Sequence, residues 1–268
     1  MELLEKGKAI SGYYCNNPNV DLVMIAGSVS RGWADHLSDI EIYVLWNEAP
    51  TDEDRKKPIK ELQGKIIEFH PFEEGEWSES YVSFHVKYEI SNFLTKRVQE
   101  IVNEVTKEYD TSIDKQLIVS SIKSGIPVLG NELYDELVAQ VTPYPRELTI
   151  AMIHKYMKLT NRWNHREALM KRDDWFILKQ VISSVQLNYN YMFYAINQEY
   201  IQHPVFKWNS QVISQFRLKP NNLEERLERI NFSPLEDSIL ELKLLLDELY
   251  LLVENHYPEV VLENNNSS

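Results

Sequence analysis

Apolar positions recur at two spacings along this chain, and the change between them divides it. Up to about residue 141, short apolar runs alternate with loops. Residues 22–26 and 40–45 read as buried strands, and "KIIEFHPF" and "YVSFHVKYEI" alternate with a period of two. An amphipathic helix is predicted over residues 2–14, a charged helix in "TDEDRKKPIKELQGK", and two more in "FLTKRVQEIVNEVTKEY" and "DKQLIVSSIKSG", the last closed by Gly125 as a C-cap. "IPVLG" and "NELYDELVAQV" complete this α/β region. Beyond the prolines of "TPYPRE" the apolar period is helical, in "ELTIAMIHKYMKLTNRWNHREALMKR", "DWFILKQVISSVQLNYNYMFYAINQEYI" and "PLEDSILELKLLLDELYLLVENHY". Asp173-Asp174 and Ser233-Pro234 read as helix starts. The expected fold is therefore α+β. A mixed β-sheet with helices occupies residues 1–141, and an all-α helix bundle occupies 142–268. The polar tail "LENNNSS" is expected to fray.

Composition narrows the class without changing this outline. A chain of 268 residues and 31.6 kDa suits two domains better than one. With 43% hydrophobic and 26% charged residues, and no apolar run near the roughly 18 residues of a membrane span, a soluble protein without a membrane partner is expected. The opening "MELLEKGKAISGYYC" lacks the apolar core of a signal peptide, and the single Cys15 suits a reducing, cytoplasmic setting. A net charge of −13 opposes broad binding to nucleic acid, and there is no basic stripe. The excess acid suits a cationic partner, or simply keeps the chain in solution.

The candidate chemistry lies in "DLVMIAGSVSRGWADHLSDIEIYVLW". On a strand, Asp39 and Glu41 project from one face while Ile40 and Ile42 enter the core. Two close carboxylates repel, and a divalent cation relieves the repulsion. Carboxylate oxygens suit Mg²⁺ (or Mn²⁺), which takes one or two protein carboxylates and completes its shell with water and substrate phosphates. Upstream, Gly27 lets backbone approach a ligand closely, Ser28 and the amides after it offer donors to phosphate, and Arg31 adds a bidentate contact. Phosphate donors beside a metal pair describe a nucleoside triphosphate (NTP) site.

The stretch "IAGSVSRGWADHLSDIEIYV" resembles the signature of the DNA polymerase β-like nucleotidyltransferase superfamily. That signature is an apolar-Gly-Ser step, about ten residues, then Asp-apolar-Asp/Glu-apolar. The plan of a minimal nucleotidyltransferase domain before a helical one is similar too. Within the superfamily the chain looks like the DUF4037-type and the lincosamide or aminoglycoside nucleotidyltransferase-like proteins, on "IPVLGN" and "YMFYAINQEYIQHPVFKWNSQ". The resemblance implies transfer of NMP from a Mg-bound NTP to a hydroxyl of a small, antibiotic-like acceptor, with Asp39 and Glu41 holding the metal. Its alternatives are a degenerate member that binds nucleotide without transfer, and an enzyme that attaches AMP to a protein. A homodimer is left open.

The superfamily's third carboxylate is expected on a neighbouring strand, and in "YVSFHVKYEIS" that place falls near His85. His85 is a candidate base, as are Glu89 and Glu68, and, from the helical half, Glu147, Asp173 and Asp174. Lys179 is a candidate contact to the triphosphate. Tyr189, Tyr191, Phe193, Tyr194 and Tyr200, at helical spacing, read as core or as a stacking wall for a ring. Trp33 and His36 lie in the loop expected to cover the nucleotide.

Overall fold

The runs at 22–26 and 40–45 form adjacent antiparallel strands in the computed structural model, which describes residues 2–262. The part of the polar tail beyond residue 262 lies outside the described residues. The chain divides into two compact units, Met1–Glu108 with Asp114–Pro143, and Tyr109–Ile113 with Tyr144–Ser268.

The first unit runs α1 (Glu2–Tyr14), β1 (Val20–Ala26), α2 (Gly27–Ser30), β2 (Ile40–Trp46), α3 (Asp52–Glu61), β3 (Lys65–Phe69), β4 (Trp77–Ser83), β5 (Val86–Leu94), α4 (Thr95–Thr106), α5 (Ile113–Ser124), β6 (Ile126–Leu129) and α6 (Asn131–Val141). Its six strands stand in the order β3-β4-β5-β2-β1-β6. Only the β2–β5 pair is parallel, so the sheet is mixed. Alternation sorts its two faces. Ile40, Ile42, Val44 and Trp46 join Ile10 and Tyr14 of α1, Ile59 of α3, and Tyr81, Tyr88 and Ile90 in one core. The opposite face presents Glu41, Tyr43 and Leu45, and Tyr43 meets α5 through a bond from the Ser121 hydroxyl at 3.3 Å. The helix read from "TDEDRKKPIKELQGK" is α3, fixed at its start by a reciprocal cap: Asp54 N donates to Thr51 Oγ1 at 3.2 Å, and Thr51 N to Asp54 Oδ2 at 2.9 Å.

A buried polar cluster sits behind β4. Arg55 and Glu79 are both buried, with Nε to Oε2 at 2.8 Å and Nη2 to Oε2 at 2.7 Å. Arg55 Nη2 also donates to the carbonyls of His70 and Ser78, each at 2.9 Å, tying together the two ends of the β3–β4 loop. Asn92 donates to Glu79 and accepts from Trp46 Nε1 at 2.9 Å. Burial raises the Glu79 carboxyl, against the opposing pull of Arg55 and Asn92.

Three expectations need correction. "YVSFHVKYEI" is not one strand but the β4–β5 hairpin, because Phe84 (φ 50°) and His85 (φ 62°) both turn left-handed and reverse the chain. The helix "FLTKRVQEIVNEVTKEY" begins at Thr95, since Phe93 and Leu94 finish β5 beside Leu45 and Trp46. Gly125 directly follows Ser124, where α5 ends, as expected of a cap, but its φ is not left-handed. A Cβ there would meet the Ser121 carbonyl at 2.8 Å and the Met24 sulfur at 3.0 Å, so close packing requires the glycine.

The third correction falls in the second unit, which is helical: α7 (Arg146–Tyr156), α8 (Asn161–Asn164), α9 (Arg166–Lys171), α10 (Trp175–Ile196), α11 (Asn209–Ser214), α12 (Leu223–Phe232) and α13 (Leu235–His256). The 26-residue helical pattern after Pro145 thus breaks into α7, α8 and α9. Thr160 is extended (ψ 146°), and Trp163 is buried with Arg166 stacked on its ring and donating to its carbonyl at 2.9 Å. Burying that indole outweighs continuing a helix through residues of weak propensity, Thr160, Asn161 and Asn164.

Candidate active site

β1 ends at Ala26, and the chain turns at once through Gly27 (φ 65°) into the single helical turn α2. Ser30 Oγ donates to Gly27 O at 3.0 Å and Trp33 N to Ser28 O at 2.9 Å, which fixes the turn. A Cβ on Gly27 would overlap the Glu41 carboxylate. Glycine is therefore required by its backbone angle, and a side chain there would also push the Glu41 carboxylate out of its place. Arg31 donates from Nη2 to Ser120 Oγ of α5 at 3.3 Å and lies over Trp33, 5.8 Å from the ring centre.

Asp35 shapes the loop that follows. It accepts from Leu37 N at 2.9 Å and from the Ser38 hydroxyl at 3.0 Å, and these bonds, the first foremost, hold its carboxyl below the usual range. The loop delivers Asp39 and Glu41, both half-buried, to the end of β2 beside Gly27. Trp33 is half-buried and His36 exposed in the same loop.

Register supplies a third acid. Glu41 pairs across the parallel ladder with Glu89 of β5, Glu89 with buried Ser80 of β4, and Ser80 with Glu68 of β3. One row on one face thus reads Glu41, Glu89, Ser80, Glu68. Glu89 is one strand spacing from Glu41, about 5 Å, whereas Glu68 is three away, about 14 Å. Lys87 stands beside this row, paired with Glu89 and 3.8 Å from Asp39 Oδ2. The bond to Glu89, chiefly, raises its ammonium pKa.

His85 occupies the tip of the hairpin, exposed, four residues and about 13 Å along the strand from Glu89. The position where a strand carboxylate was sought is off the strand altogether. Among the described residues no three His, Cys, Asp or Glu side chains form a ready metal cage. The donor set nevertheless suits Mg²⁺, since Asp39 and Glu41 stand two residues apart at the start of β2, Glu41 rests against Gly27, and this ion takes few protein carboxylates.

The same face holds a pocket of about 560 Å³, one step further along both strands. Tyr43 and Ser91, next after Glu41 and Glu89 on this face, lie in its wall with Phe93, His70 and the acids Glu73, Glu74, Glu76 and Asp114. Glu73 and Glu76 close a tight loop by two backbone bonds of 3.0 Å, and it is the base of this loop that Arg55 holds from behind. Burial, reinforced by the nearby charge of Glu74, raises the Glu76 carboxyl.

The candidates from the helical half lie in the second unit. Lys179 is exposed on α10, and Glu147 is exposed in the first turn of α7. Asp174 is the N-cap of α10 without a side-chain cap bond, and Asp173 is left-handed at φ 58°. Tyr189, Phe193, Tyr194 and Tyr200 are buried core, with Tyr189 stacked on Phe193 at 5.6 Å and the Tyr194 hydroxyl donating to Asn209 at 2.9 Å. Tyr191 is half-buried and donates to Pro204 O at 3.1 Å.

Residues 111–209 match the family model described as "Domain of unknown function (DUF4037)". The match contains "IPVLGN" and most of "YMFYAINQEYIQHPVFKWNSQ", so the resemblance to DUF4037-type proteins read from the sequence is borne out; it begins after Gly27, Asp39, Glu41 and Glu89. No curated protein matches the chain. Among solved structures, the chain is similar to a nucleotidyltransferase-like protein from Exiguobacterium sibiricum 255-15, with 11% identity and a TM-score of 0.44, over 98% of this chain and 81% of that one. No helix among the described residues is long and apolar enough to cross a membrane.

Proposed function

We propose that the chain is a nucleotidyltransferase that moves NMP from a Mg²⁺- or Mn²⁺-bound NTP to a hydroxyl of a small acceptor. The observation that carries this reading is the pairing of Glu41 with Glu89 on one sheet face against the Gly27 turn, with Asp39 joined to Glu89 through Lys87. Asp39 and Glu41 are the residues that would hold the metal, which when bound offsets charge on the attacking and leaving oxygens. The Ser28 hydroxyl and the backbone at Gly27 bind phosphate, with Arg31 oriented beside them by Ser120 and Trp33. Glu89 takes the acceptor's proton as its oxygen bonds to the α-phosphorus; the α–β anhydride bond breaks and pyrophosphate leaves.

The neighbouring pocket bears on the acceptor. Four acids in its wall repel a triphosphate, so the phosphates belong on the Gly27 side and the pocket on the acceptor's side. Its rings, Tyr43 and Phe93 at 5.3 Å, and its carboxylates favour a cationic molecule with a flat or apolar face.

Calorimetric titration of Mg·ATP and Mg·GTP into wild type and Asp39→Asn, with and without EDTA, tests the site. The expected result is binding that needs the metal and is abolished in Asp39→Asn. Absence of binding to wild type would sink the reading. Transfer of labelled nucleotide to cationic hydroxyl compounds then separates an enzyme from a protein that binds nucleotide without transfer, and a mass shift on a co-purifying protein would redirect the reading to AMP attachment.

A further inference from the structure

Asp39, Glu41 and Glu89 bring three negative charges to one end of β2 and β5, and the residue placed among them is a lysine. Lys87 precedes Glu89 by two residues on the same strand face, and it reaches both Glu89 and, at 3.8 Å, Asp39. Two-metal sites place their ions roughly 3.5–4 Å apart, bridged by shared carboxylates. A lysine ammonium is a compact point charge with three donors, able to stand where a second cation would be drawn.

We infer that Lys87 is the resident cation of this site and takes the position of a second metal ion, so that the site binds one divalent ion rather than two. The inference rests on the metal-site reading above. Charge supports it: the Lys87 ammonium already offsets carboxylate charge at Asp39 and Glu89, and its removal strengthens the draw of those acids on a second ion. Lys87 also acts as a positioning residue, because its contacts hold the Asp39 and Glu89 carboxylates toward one another across adjacent strands. A lysine serving only to steady the hairpin would predict the opposite on removal, namely looser carboxylates and weaker metal binding.

The test counts ions rather than turnover. Mn²⁺ is titrated into the full chain with saturating α,β-methylene ATP, and free Mn²⁺ is followed by electron paramagnetic resonance in wild type, Lys87→Met, Lys87→Arg and Asp39→Asn. After Mn²⁺ on unbound analogue is subtracted, the expected result is one Mn²⁺ per wild-type chain with analogue bound, one in Lys87→Arg, and two in Lys87→Met, the second at least tenfold tighter than any second ion in wild type. Two ions in wild type, or one ion in Lys87→Met, overturns the role of Lys87 while leaving the metal site standing. No ion in wild type overturns the metal-site reading and the inference with it. Because Lys87 is a surface residue, circular dichroism melts of all four proteins identify any variant whose loss of ions reflects unfolding, and Lys87→Arg, which keeps the charge, then decides between one ion and two.

Discussion

At the residue scale the acid that completes the site is Glu89, and only register identifies it. In the sequence, Glu89 and Glu68 stand equally as substitutes for a carboxylate near His85. The parallel pairing of β2 with β5 sets Glu89 directly beside Glu41, and the β4–β5 turn carries His85 away to the hairpin tip. Glu89→Gln is expected to lower nucleotidyl transfer by about 10²–10⁴-fold with nucleotide affinity nearly unchanged, the signature of a lost proton acceptor. Glu68→Gln, three strands from Glu41, is expected to leave transfer within a few-fold of wild type. Single-turnover rates with labelled ATP decide; equal losses in both variants would take the base out of the row. The Asp39–Glu41 pair and Gly27 were legible in the linear text because strand alternation and a small-residue turn are local signals. Asp35 was not singled out, although an aspartate two residues before the amide it binds is a local signal as well.

At the scale of elements, what escaped the sequence is what depends on partners distant in the chain. Arg55 sits in the charged run "TDEDRKK" and reads as one more solvated side chain, yet it is buried against Glu79 and holds both ends of the β3–β4 loop. The Phe84-His85 turn lacks the glycine or asparagine that marks a two-residue hairpin, so the alternating string runs through it without a visible break. α3 itself was legible, because Thr51 and Asp54 form a capping box within four residues. Breaking the buried pair has an asymmetric cost. Glu79→Leu is expected to lower stability by about 3–5 kcal/mol by stranding a buried guanidinium, and the double change Arg55→Met with Glu79→Leu to recover most of it. Urea melts of the two singles and the double form the cycle, and additive losses would show that the pair is not coupled. The same Arg55→Met change frees the loop that carries Glu73, Glu74 and Glu76, so acceptor affinity is expected to fall even in the stabilised double variant.

At the scale of the whole molecule, the division into a sheet-bearing part and a helical part was legible from the change of apolar period, while the excursion of Tyr109–Ile113 into the second unit was not. Tyr109 ends a helical run and residues 110–113 carry no periodic signal, yet the five group with the helices through contacts such as Lys155 Nζ donating to Thr111 O at 3.3 Å. Two units with separate cores need not unfold as one, so calorimetry can resolve their transitions and assign a ligand to the unit that binds it. Every residue placed in the proposed site belongs to the first unit, and the candidate Lys179 to the second. Mg·ATP at 100 times its Kd is therefore expected to raise the stability of the sheet-bearing unit by about 2.7 kcal/mol and leave the helical transition in place. A parallel rise in the helical transition, removed by Lys179→Ala, would instead bring α10 into the grip on the triphosphate. An unchanged melt in both units, under conditions where calorimetric titration shows no heat, would mean that the row of acids on β2 and β5 serves a ligand other than a nucleotide.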